Sequence, residues 1–130
     1  MTYERELLFG RWFREDQTEP NTKTVEYAQL SADGSFEFTF ITLQVNAGEV
    51  DKIIEQVTEL GDWGLVGDIH FTITKDEIVD EELYATDLND SNNYHAYKII
   101  QINHHTFEYQ HIETDDTFIM RKITDHIGHC

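Results

Sequence analysis

Tyr97, Tyr109 and His111 each stand in a stretch where ring-bearing or apolar residues recur at every second position. On a strand, that period places a phenol or an imidazole on the same face as its aromatic neighbours. The clearest alternation is Phe36, Phe38 and Phe40 against Glu37 and Thr39. Together with Phe71, Phe107, Phe118, Met120 and the nearby Trp63, these residues could wall a space for an apolar or aromatic small molecule. The few polar groups among them would fix its orientation. The expected binding set is Phe38, Phe40, Trp63, Phe71, Tyr97, Phe107, Tyr109 and His111. For each aromatic residue singly, an ordinary place in the core is the competing reading.

Covalent and acid–base chemistry find little support. Ser31, Ser35 and Ser91 are the serines, and none sits in a Gly-x-Ser-x-Gly elbow. Cys130, the single cysteine, is the last residue and has no internal disulfide partner, which fits a reducing compartment. His111, Tyr109 and Glu37 are candidates for an isomerase or decarboxylase, but Glu37 alternates away from the phenylalanine face. The reading therefore assigns no catalytic residue and favours a non-enzymatic protein. Seven histidines raise the question of a metal, yet zinc needs three or four converging ligands. His104-His105 falls in an expected turn, His95 and His111 on neighbouring strands, and His126-x-x-His129-Cys130 in a tail suited only to adventitious capture. No metal and no cofactor is expected.

The elements that would carry these residues are mostly short strands. Gly10 to Asp16, Lys23 to Leu30 and the phenylalanine strand follow one another, separated by Pro20-Asn21 and by the hairpin turn Ser31-Ala32-Asp33-Gly34. Val50 to Leu60 has helical spacing, with Gly61 at a C-cap position, but its β-branched content favours a strand. Ile69 to Ile73, Leu83 to Thr86, Tyr94 to Ile102, Phe107 to His111 and Phe118 to Ile123 complete about nine strands. Before them, Thr2 to Phe9 reads as a short helix with Thr2 as N-cap and Leu7, Leu8 and Phe9 turned inward. Short strands joined by tight turns favour a closed antiparallel barrel in a single domain spanning residues 1–130.

Gly10-Arg11-Trp12 at the start of the first strand, with Arg121 on the last, resembles the closure of lipocalin-like proteins. The segment Gly61-Asp62-Trp63-Gly64-Leu65-Val66-Gly67-Asp68 resembles the G-x-W-x-x-x-G-D stretch of bacterial lipocalin-like families. The resemblance implies an all-β, antiparallel up-and-down barrel with a short N-terminal helix. It also implies that Trp12 plugs one end with the Arg121 guanidinium packed across its indole. The Thr-Asp-Tyr type of loop found in classical lipocalins is not evident.

Nine basic residues against 26 acidic ones give a formal charge of −17. Such a field repels phosphate backbones and anionic membranes, so neither nucleic acid nor a membrane is an expected partner. The start Met1-Thr2-Tyr3-Glu4-Arg5-Glu6 lacks the pattern of a secretory leader, and a cytoplasmic location is expected. The acid run Asp76 to Asp90 reads as a solvated loop or edge strand. Two functions from different classes follow. One is a barrel binding a small hydrophobic or aromatic molecule; the other is an acidic inhibitor or immunity-type domain masking a basic protein partner. An empty lumen favours the first and a solid interior the second.

Overall fold

The chain forms the all-β antiparallel barrel that the sequence pattern implies. The computed structural model describes residues 3–46 and 48–123. A 3-10 turn, Arg5–Leu8, stands where a short helix was expected, with Glu4 at its N-cap position; the Thr2 cap lies outside the described residues. Strands β1 (Gly10–Glu19), β2 (Thr22–Leu30), β3 (Ser35–Gln44) and β4 (Lys52–Val66) pair in sequence. They are followed by β5 (Ile69–Val79), β6 (Glu82–Ala85), β7 (Tyr94–Ile102), β8 (Thr106–His111) and β9 (Thr117–Lys122). The sheet runs β4-β3-β2-β1-β9-β8-β7-β5-β6 and closes on itself through β4–β5. Eight strands thus make the wall. β6 extends it, pairing along the last residues of β5.

The segment of ambiguous period, 50–60, is strand: Lys52 to Asp62 ladder against β3. Strand wins because both neighbours offer backbone partners over most of its length and β-branched residues suit a pleated wall. β4 bends at Leu60/Gly61, where its register on β5 shifts. A Cβ at Gly61 would collide with the Ile73 carbonyl oxygen, so only glycine permits that close approach.

The core fills one end of the barrel. Leu8 and Trp12 are 0% exposed and pack with Leu30, Phe36, Trp63, Ile99 and Phe107. Trp12 Nε1 donates to the Leu8 carbonyl at 3.0 Å, which fastens the 3-10 turn across the barrel floor. Trp63 Nε1 donates to Ser31 O at 2.9 Å. The expected cation over Trp12, however, is not Arg121. Lys122 Nζ lies 4.6 Å from the Trp12 ring centre and donates to the Phe9 carbonyl, while Arg121 is exposed and opposite Phe13. Strand parity is the reason: Phe118, Met120 and Lys122 share the inner face, so the neighbouring arginine points outward. Gly10 keeps its place in the closure, with φ of 116° and Lys122 Nζ where a Cβ would sit. A second cation, Arg5, stands 4.6 Å above the Trp63 ring and hydrogen-bonds Ala32 O.

Candidate functional site

Above the Trp12 floor, the inner faces of the strands enclose a cavity of about 260 Å³ toward the end opposite the 3-10 turn. Register explains its lining. On β1 and β2, Arg14 lies opposite Glu26; on β2 and β3, Glu26 lies opposite Phe40; on β3 and β4, Phe38 lies opposite Glu59. Across the barrel, His70 on β5 faces Tyr97 on β7, and Tyr109 on β8 faces Phe118 on β9. The β1–β4 side of the lumen therefore mixes charged groups with phenylalanines, whereas the side from β7 to β9 is mainly aromatic.

Of the residues expected from sequence, Phe38, Phe40, Tyr97, Phe107 and Tyr109 line the cavity. Tyr97 and Tyr109 meet edge to face with centroids 5.0 Å apart, and Tyr109 stacks on Phe118 at 5.4 Å. Trp63 belongs instead to the packed end, because its indole is engaged by Ser31 and covered by Arg5. Phe71 faces outward. β5 places His70, Thr72 and Thr74 inside, and the Phe71 ring covers the bare backbone of Gly64, its cross-strand partner. His111 is outside the lining as well, since its Nδ1 accepts from Glu113 N at 3.1 Å and its Nε2 lies 3.2 Å from His95 Nδ1. That imidazole organises the turn after β8. Glu37 is exposed on the outer face, as its parity requires.

The polar lining escaped sequence reasoning. Arg14 Nε donates to Glu26 Oε1 at 2.7 Å, and its guanidinium lies 4.9 Å from the Phe118 ring centre. Burial raises the Glu26 carboxyl above its ordinary range by more than the arginine lowers it. Glu59 is likewise raised by burial, although Thr74 Oγ1 donates to its Oε1 at 3.1 Å. His70 is 3% exposed; burial pushes its pKa down to about 4, opposed by a hydrogen bond to the Gly64 backbone. At neutral pH it is an uncharged imidazole, and its Nδ1 is buried without a hydrogen-bond partner. Both lumen tyrosines are raised by burial first and by nearby Glu26, so they remain neutral phenols. Tyr109 is tied to Met120 Sδ at 3.3 Å.

Among the described residues, no group of three or more His, Cys, Asp or Glu converges to hold a metal ion. His126, His129 and Cys130 lie outside the described residues. No described helix is long and apolar enough to cross a membrane.

Fold and site together define a small up-and-down β-barrel, plugged at one end by Trp12 and holding an internal cavity of mixed aromatic and charged lining. Among solved structures, the chain is similar to a lipocalin-like protein from Bacteroides uniformis, at 14% identity and a TM-score of 0.48, over 90% of this chain and 99% of that one. No family model and no curated protein matches the chain.

Proposed function

We propose that this barrel binds one small, largely apolar or aromatic molecule in its lumen. The observation that carries the reading is the cavity of about 260 Å³ walled by Phe38, Phe40, Tyr97, Tyr109 and Phe118, with His70, whose buried Nδ1 is unpaired, among its lining residues. A buried polar atom without a partner is costly, commonly about 1 to 3 kcal/mol, and a ligand hydroxyl or N–H would relieve that cost. An acidic domain that recognises only a basic protein through its surface has no need of an unfilled interior. The lumen thus favours the small-molecule reading over the interaction reading.

The test is a titration of intrinsic fluorescence with 2-phenylethanol, exploiting Trp12 in the cavity wall, together with native mass spectrometry of freshly purified protein. The expected result is a saturable change at one-to-one stoichiometry, lost when Ala28→Leu fills the lumen while the thermal melt stays cooperative. A wild-type protein that shows no saturable response to neutral or charged aromatic probes would refute the proposal.

A further inference from the structure

We infer that the lumen is built for a protonated amine carried on an aromatic or apolar body, with Glu59 as its counter-charge. This deepens the proposed function and rests on it. The first ground is the charge inventory of the cavity. Its cation, Arg14, is already engaged by Glu26 at 2.7 Å and laid over Phe118. Glu59 also lines the cavity, yet among the described residues no lysine, arginine or histidine forms an ion pair with it. The Thr74 hydroxyl donates to it, and the charges acting on it, Glu77 and Glu26, have its own sign. With Arg14 and Glu26 cancelling, the lumen keeps one carboxyl in excess. A carboxylate withdrawn from water needs a cation or a proton.

The surroundings of that carboxyl favour a cation. Phe38 stands opposite Glu59 in the ladder and Phe40 opposite Glu26, so aromatic side chains are the cross-strand neighbours of both carboxyls. An ammonium gains from aromatic faces as well as from the carboxylate. His70 provides a second, independent sign of a ligand, because this residue lines the same cavity and its buried Nδ1 has no hydrogen-bond partner. It accepts and does not repel a donor. The approach is predominantly of the same polarity: the open end bears Glu19, Asp51, Asp80, Glu81, Glu113 and Asp116 against two lysines, Lys52 and Lys23, the latter held by Glu15 and Asp51. Field from such a rim concentrates small cations at the mouth.

The experiment compares three probes of one shape, 2-phenylethylamine, 2-phenylethanol and phenylacetate, by calorimetry on the full chain and on Glu59→Gln. The amine is expected to bind about tenfold or more tightly than the alcohol, as for a hydrogen bond to a charged group, and phenylacetate weakest. Glu59→Gln keeps an acceptor for Thr74 and should erase the amine's advantage. A cooperative thermal melt of that variant, like that of the wild type, would show that the barrel is intact. Equal affinities for amine and alcohol, or tightest binding of phenylacetate, would overturn the inference while leaving the lumen a binding site. Failure of all three probes on the wild-type protein would overturn both.

Discussion

Truncation of Trp12 tests whether the barrel floor is a plug. The indole is fully buried, meets Phe107 at 5.6 Å, lies under Lys122 and holds the 3-10 turn through Leu8. Trp12→Ala forfeits apolar burial worth about 3 to 5 kcal/mol. It also leaves the Leu8 carbonyl without its donor, at about 1 kcal/mol. Little of this is recovered by collapse, since the surrounding strands are fixed by their ladders and the void opens into the existing lumen. The total should sit near the top of the range, about 5 kcal/mol. With a urea m-value of about 2 kcal/mol/M, the midpoint falls by about 2.5 M. Trp12→Phe keeps a ring beside Phe107 and Lys122 and loses mainly the N–H, so about 1 to 2 kcal/mol is expected. Far-UV circular dichroism is the appropriate signal because the substitution removes a fluorophore. A loss below about 1 kcal/mol for Trp12→Ala would refute the plug.

Lys122→Ala should cost about 1 to 2 kcal/mol through its ring contact and its bond to Phe9, whereas exposed Arg121→Ala should stay within about 0.5 kcal/mol. The reverse order in urea melts would reassign the closure to the arginine. His70, held neutral with a folded pKa of about 4 against an ordinary 6.5, contributes stability that is complete above pH 6.5 and lost as the pH falls through about 4. Glu26 and Glu59, raised above their ordinary value, act in the opposite sense on acidification, so the measurement is a difference between proteins. Between pH 7 and 4.5, wild type should lose about 2 to 3 kcal/mol more than His70→Gln. Parallel pH profiles would show that His70 is not buried neutral.

Strand number and the turn at Ser31–Gly34 were legible because turn residues and period-two patterning specify them locally, whereas β4 was legible only as 50–60, from β-branched content against a helical spacing, and its run on to Val66 was not. Which face points inward was legible only where the two faces differ in kind. On β3, phenylalanine alternates with Glu37 and Thr39, and Phe36, Phe38 and Phe40 are indeed inside. On β5, Ile69, Phe71 and Ile73 look like the inner set, yet Trp63 pairs with Thr72 and brings the His70, Thr72 and Thr74 face into the barrel. A one-residue change of register exchanges the two faces, and that register is set by a distant strand. Arg121 and Lys122 are distinguished by the same parity. Arg14, Glu26 and Glu59 were missed because isolated charges on strands ordinarily face solvent, and their pairing in space depends on ladders between three hairpins. Counting across the Pro20-Asn21 turn would set Arg14 opposite Tyr27; the register shift between Asp16 and Glu19 moves it by one residue to Glu26, and nothing local in the sequence marks that shift.

The seam between first and last strands has a consequence for how the barrel assembles. Among the described residues, β1 and β9 pair at Trp12↔Lys122 and Phe13↔Arg121, with one more backbone bond from Ile123 N to Arg11 O, whereas β1 and β2 are paired along nearly their whole length. Joining the seam brings together residues as far apart as Phe9 and Lys122, separated by 113 positions. The entropy cost of closing so long a loop is high, and so short a ladder returns little of it. Side chains must supply the difference. Trp12 and Lys122 at the floor, and Arg14 laid across Phe118 higher up, act as clasps on a wall whose edges scarcely knit. Hairpins joined by short turns can form without them, but the cylinder cannot be completed until these particular side chains meet.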